Sequence, residues 1–326
     1  MNYYRKLKEL IRLSDWKSEK MPFVFLVIFY IQLVYKLWGN GIHFYVNFFM
    51  ILFFSLGYFA FLFLTNDLVD LEQDLKAGKE KPFKSKDKPV LWLFSVLMVI
   101  FAGAAFYWVY GKIDITSSLV LISGFLIAFY YSVPPFRFKE SGLLGIIFGS
   151  LVLRPIPIIM ISAFIPKIWF DPGFIAIFCW IEILSINKII RHQLDDYEND
   201  TKSKTNTFTT DIGFDKALKL RGLMIPFETL FLGLAAYFMI SVSKLTLLAF
   251  MVYSIYHIIL FVYDSEASNK YFKSKRINVF DLSVIIFPIF FSFQLAFDQG
   301  LLLLPIFMIL WQRYWIKDSF SLVKKV

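Results

Sequence analysis

Ten apolar runs, each roughly 17 to 25 residues long, occupy most of this chain, and that is the length one helix needs to cross the hydrocarbon core of a bilayer. They lie at 22–38, 44–65, 90–110, 116–134, 143–165, 171–190, 222–241, 245–263, 282–297 and 300–316. The runs are continuous and do not alternate with a period of two, so they read as helices and not as the strands of a barrel. The last two are short and separated only by Asp298-Gln299-Gly300, which leaves two spans, or one span and a surface helix. Composition agrees: 58% of the 326 residues are hydrophobic and 40 are phenylalanine, more apolar surface than a soluble domain of this size buries. The expected fold class is all-α, a multi-pass transmembrane helical bundle.

The connections between runs alternate in charge. Of the 34 lysines and arginines, all but Lys36, Lys112, Lys167, Lys244, Arg154 and Arg313 fall in one set: the N-terminus, 66–89, 135–141, 188–221, 265–280 and the C-terminus. Arg154 and Arg313 lie inside runs. The positive-inside rule makes that set cytoplasmic. The net charge of +9 is then a product of topology and gives no ground for nucleic-acid binding. Residues 1–21 are charged and lack the apolar core of a cleaved signal, so they are expected to form a cytoplasmic segment leading into a single transmembrane domain over 22–326. The lone Cys179 excludes an internal disulfide, and His43, His192 and His257 lack the spacing of a zinc site.

Two acidic clusters follow apolar runs on the same expected side. The second run ends in Thr65-Asn66-Asp67-Leu68-Val69-Asp70-Leu71-Glu72-Gln73-Asp74. On a helix, Asn66, Asp70 and Asp74 share one face, with Asp67 beside them. Like charges so close repel and call for a cation. Several carboxylates with only oxygen donors suit Mg²⁺. The sixth run ends in a second cluster, with Asp196 and Asp200 again four apart and Lys188 and Arg191 just before them. Two carboxylate pairs facing each other across a bundle suit Mg²⁺ ions that bridge to a diphosphate. A single D-x-x-x-D is usually a solvated helix end; two at equivalent ends carry more weight. Between them, Tyr130-Tyr131-Ser132-Val133-Pro134-Pro135 stops a helix and is followed by Arg137 and Lys139 at the depth of the aspartates.

Together the three elements resemble the UbiA superfamily of intramembrane prenyltransferases. Asn66, Asp67, Asp70 and Asp74 are similar to its N-D-x-x-D-x-x-x-D motif, and Lys81-Pro82 to its usual Arg-Pro. Asp196 and Asp200 match its D-x-x-x-D, with Thr207 where the family often has Thr or Ser. Tyr131-Ser132-Val133-Pro134-Pro135-Phe136-Arg137-Phe138-Lys139 is similar to its Y-S-x-P-P-x-R-x-K stretch. Lys81 in place of Arg, and Lys204 where Gly is common, depart from the pattern.

The resemblance implies about nine helices around a central cavity, under a cytoplasmic cap. It implies an enzyme of isoprenoid biosynthesis in the cell (inner) membrane, a transferase of alkyl groups other than methyl. That enzyme moves an isoprenyl group from a prenyl diphosphate to a lipophilic or aromatic acceptor, with Mg²⁺ as cofactor and membrane lipid around it. Asp67, Asp70, Asp196 and Asp200 are then catalytic. Asn66, Asp70, Asp74, Asp196 and Asp200 hold the metal. Lys81, Arg137, Lys139, Lys188 and Arg191 meet the diphosphate. The alternative is a cyclase of the same kind, which ionises a prenyl diphosphate without an acceptor. A transporter is disfavoured, because its sites lie near the midplane. Gln32, Asn47, Arg154, Glu182, Asn187 and Glu228 also lie within runs, and Arg154 is the costliest of these to bury.

Overall fold

The computed structural model describes residues 9–17, 20–76, 81–111, 114–203, 205–263 and 279–323. Every apolar run is helical. In chain order the helices are α1 (Leu13–Lys17), α2 (Met21–Tyr35), α3 (Ile42–Lys76), α4 (Lys88–Tyr110), α5 (Ile115–Ser132), α6 (Leu143–Leu153) and α7 (Pro155–Ser162). They continue with α8 (Pro172–Asp195), α9 (Tyr197–Ser203), α10 (Phe208–Ile212), α11 (Phe214–Val242), α12 (Leu245–Tyr263), α13 (Val279–Gln299) and α14 (Leu303–Val323). Among the described residues there is no strand, only a parallel bridge between Gly142 and Thr207. By length and apolar character, and among the described residues, five helices suit a membrane crossing, or six when α6 and α7, bent by 50°, count as one broken span. The chain is therefore an all-α, multi-pass membrane protein.

Local chemistry sets the ends. Asp114 and Asp171 cap α5 and α8, accepting from Ser117 N at 2.7 Å and Phe174 N at 2.9 Å. Pro89, Pro155 and Pro172 stand in first turns, where the missing N–H costs no bond. Gly111, at φ 67°, closes α4. The short pair at the end of the sequence resolves into two 21-residue helices, α13 and α14, each about 31 Å long.

The chain divides into two compact units. One comprises 18–45 and 233–326. Its centre is α13, packed against α2, α12 and α14. The fully buried Gln32 is satisfied there: its Nε2 donates to Gly39 O at 2.8 Å and to Gln299 Oε1 at 2.7 Å, and its Oε1 accepts from Trp38 N at 3.1 Å.

The other unit comprises 1–17 and 46–232 and contains all three motifs. Its longest helix, α3, has 35 residues and runs about 52 Å, well past a hydrocarbon core of about 30 Å. The motif occupies the turns that outrun the apolar part. One side of those turns is apolar: Leu64, Leu68 and Leu71 pack with Phe83 and Leu91. Trp16, in α1, stacks on Phe59 of α3 at 5.5 Å. The fifth run, expected as one span, breaks at Arg154 between α6 and α7. The carbonyl of Val152, freed at the break, accepts from the Tyr58 hydroxyl at 2.9 Å. The buried Arg154 guanidinium donates to Ser185 Oγ on α8 at 3.2 Å, and Glu182 is within electrostatic reach.

Candidate active site

The motif turns of α3 present two polar edges. Asn66, Asp70 and Asp74 line a cavity; Asp67, which does not line it, stands beside Asp74 along a second edge. Lys81 returns from the following loop and spans that edge, with Nζ at 2.9 Å from Asp67 Oδ1 and 2.7 Å from Asp74 Oδ2. Arg12 adds a weaker contact to Asp67 at 3.7 Å and lies over the Phe63 ring at 5.1 Å. Burial pulls the Lys81 ammonium down in pKa, but its hydrogen bonds to Asp74 and Asp67 outweigh that and leave it raised.

The chain leaves α5 through Val133, extended as a residue before proline must be. Arg137 adopts a left-handed conformation, φ 41°, before a 3₁₀ turn over Phe138–Glu140. That backbone is disfavoured for a side chain with a Cβ and is held by its contacts. Arg137 Nη2 donates to Glu140 Oε1 at 2.6 Å, to Asp70 Oδ1 at 3.1 Å and to Gln73 Oε1 at 3.2 Å. The bond to Glu140 is the chief reason its pKa is raised. Lys139 Nζ donates to Asn66 Oδ1 at 2.9 Å and forms a short ion pair with Asp70 Oδ2. Burial lowers the Lys139 pKa, with Asp70 opposing. Ser132 Oγ, at the end of α5, donates to the same Asn66 oxygen at 2.9 Å. Gly145 makes this seat possible: a Cβ there would lie 2.8 Å from Phe138 O and 3.0 Å from Lys139 O.

The second cluster forms another wall of the same cavity. Asp196 caps the C-terminal end of α8, and the Asp200 N–H donates to the Asp196 carbonyl at 2.9 Å, so the helical turn continues into α9 and the two carboxylates keep one face. His192 Nδ1 lies 2.9 Å from Asp196 Oδ2. Asp200 Oδ2 accepts from Thr207 Oγ1 at 3.4 Å. Thr207 is joined to the Lys139 loop through the backbone bridge to Gly142, which ties the second and third motifs together.

These walls enclose a cavity of about 730 Å³. Of the residues predicted for the site, Asn66, Asp70, Asp74, Arg137, Lys139, Asp196 and Asp200 line it. Asp67, Lys81, Lys188 and Arg191 do not. Lys188 sits on α8 one turn before His192, and Arg191 lies within reach of Arg221. Lys204 falls outside the described residues. Gln73, Glu140, Gln193, Asn199, Lys202 and Thr205 also line the cavity. Sequence reading passed over them because no charge pattern marked them out, although Gln73 and Glu140 each lie close in sequence to a predicted residue.

The donors suit a hard cation: amide and carboxylate oxygens on both walls, with no sulfur. Among the described residues no three acidic or histidine side chains already converge as a metal cage. The Lys139 ammonium, seated between Asn66 Oδ1 and Asp70 Oδ2, nevertheless shows that these two oxygens together accept a positive charge. The residues present therefore fit such a group.

A membrane-embedded helical protein with a polar cavity of facing carboxylates, cut into one end of apolar helices, is the class that fold and site define. The model of the UbiA prenyltransferase family matches residues 26–280, and the chain belongs to that family. It is thereby a prenyltransferase-type membrane enzyme. Solved structures similar to it include a UbiA homologue from Archaeoglobus fulgidus bound to DMAPP and Mg²⁺, at 19% identity over 89% of this chain and 98% of that one, with a TM-score of 0.60. A UbiA homologue from the same organism bound to GPP and Mg²⁺ matches at 20% identity over the same shares, TM-score 0.58. A structure from work on digeranylgeranylglyceryl phosphate synthase matches at 15% identity over 89% and 99%, TM-score 0.56. At these identities the likeness is one of fold. Comparison with the curated proteins gives no match.

Proposed function

We propose that this protein ionises a prenyl diphosphate in the cavity and passes the prenyl group to a lipophilic or aromatic acceptor. One observation carries the reading: Asn66 and Asp70, with Arg137 and Lys139 upon them, line one cavity together with Asp196 and Asp200. Mg²⁺ bound in similar proteins supports the same cofactor here. Asn66, Asp70, Asp74, Asp196 and Asp200 would hold it. When bound, it supplies the Lewis-acid charge that a departing diphosphate needs.

The chain's own residues do the rest. The Nε of Arg137 is buried with no hydrogen-bond acceptor, so that guanidinium keeps a donor for a phosphate oxygen. Lys139 adds charge beside the leaving group. Lys81 holds Asp67 and Asp74 from outside the cavity, and Lys188 and Arg191 act at longer range. Apolar helices below the cavity exclude water from the allylic cation. We place 1–21 and the motif ends in the cytoplasm, at an inner membrane, with 22–326 working as one transmembrane domain.

Mass spectrometry of products tests the reaction. The purified protein is incubated with prenyl diphosphates of several lengths and Mg²⁺, with and without aromatic, quinone-precursor and polyol-phosphate acceptors. A prenylated acceptor is expected. A cyclic hydrocarbon made without any acceptor would replace transfer by cyclisation. Orientation is tested by labelling Glu72→Cys and Glu198→Cys in a Cys179→Ser background. Both should react from the cytoplasmic side, and reaction from opposite sides sinks the shared site.

A further inference from the structure

The first acidic wall is closed upon itself. Arg137 engages Asp70 Oδ1 at 3.1 Å, and Lys139 engages Asp70 Oδ2 and Asn66 Oδ1, the latter at 2.9 Å. Ser132 completes the Asn66 oxygen at 2.9 Å. A lysine ammonium is a compact point charge on a flexible stem. It sits on two oxygens that the proposed function assigns to the metal. Two cations at contact distance repel strongly in a partly buried site, so a metal must displace the ammonium. Yet the Lys139 side chain is only 15% exposed, and a buried charge stripped of its partner is strongly disfavoured. It needs another anion within reach of its stem. A diphosphate in the same cavity supplies one.

We infer that Lys139 is a resident counter-ion for the metal site, exchanged from Asn66 and Asp70 onto the diphosphate, so that metal and diphosphate bind as a coupled pair and metal alone binds weakly. This rests on the proposed function for the identity of the two ligands. It assigns Lys139 two successive partners, and makes the order of loading a property of this one side chain.

Manganese and inorganic pyrophosphate serve as probes, with the full chain in nanodiscs and free Mn²⁺ read by electron paramagnetic resonance. Pyrophosphate should tighten Mn²⁺ binding to the parent by about thirtyfold or more, within the usual range of coupling between sites. Lys139→Gln should bind Mn²⁺ alone about tenfold more tightly and lose most of that coupling. Lys202→Gln removes a charge from the same cavity without vacating the oxygens, and should change Mn²⁺ affinity by no more than about twofold. Equal gains in Lys139→Gln and Lys202→Gln, or no gain in the first, overturn the exchange while leaving the proposed function standing. Lys139→Arg tests the idea independently should the Gln variant not fold. Its fork grips both oxygens harder, so Mn²⁺ alone must weaken, and any other outcome overturns the exchange. Failure of all variants and the parent to bind Mn²⁺ with pyrophosphate removes the proposed function and the inference together.

Discussion

Asp70 and Asp196 stand on different walls of one cavity, and each belongs to a pair of acids four residues apart. Asp70 projects from an unbroken helix and is met by Arg137 and Lys139. Its neighbours Asp67 and Asp74 are bridged by Lys81. Asp196 caps a helix end, where a carboxylate meets the negative end of the dipole, and its contact is an exposed histidine one turn back. Asp200 is met by a hydroxyl at 3.4 Å. Equal spacing in sequence thus yields a first wall on one unbroken helix, whose Asp70 is met by two cations from a neighbouring loop, and a second wall at a helix junction, whose Asp196 is met by a histidine of its own helix. The first is held by contacts across the fold; the contact between Asp196 and His192 is local to one helix.

Turnover should not tell the walls apart, and stability should. Asp70→Asn and Asp196→Asn are each expected to lower the rate of diphosphate release by about 10³-fold, as loss of a key electrostatic group does, and excess EDTA to abolish it. Full activity in either variant breaks the comparison at its root. Arg137→Gln should cost about 10²-fold in turnover at saturating prenyl diphosphate, because it removes charge from the leaving-group side while Lys139 remains. Lys81→Met leaves the buried Asp67 poorly compensated, and should lower unfolding free energy by about 2 kcal/mol while Asp196→Asn leaves the melting temperature near that of the parent. Equal melting of the two would erase the distinction between walls. Arg12→Gln tests its outer limit: the 3.7 Å contact from a side chain 39% exposed should contribute no more than about 0.5 kcal/mol.

Length and continuity of apolar runs made the helices legible, since lipid demands that every spanning backbone group bond within its own segment. The face shared by Asn66 and Asp70 was legible too, because helical periodicity needs no tertiary knowledge. The division of the motif into two edges was not. It depends on where Lys81 lands after a loop, which no local pattern encodes. The break at Arg154 was hidden for a different reason. Hydropathy averages over Leu153-Arg154-Pro155, and Pro155 signals a helix start as well as a helix stop. Gln32 found its partner in Gln299, far along the chain; a buried amide announces that it needs a partner, never which one.

The broken segment bears on how this chain is made. Helix α6 has 11 residues and α7 has 8, so they reach about 16 Å and 12 Å, each far short of a bilayer core of about 30 Å. An arginine near mid-segment adds about 2.5 to 3.5 kcal/mol against entry into lipid. As the ribosome delivers it, this stretch is therefore a weaker passenger for the insertion machinery than the same apolar residues would be without the arginine. Tyr58 is already waiting on α3 to receive the Val152 carbonyl, but Ser185 arrives only with α8, which is synthesised next. Until its successor emerges, the fifth segment carries an arginine whose bond to Ser185 is not yet formed.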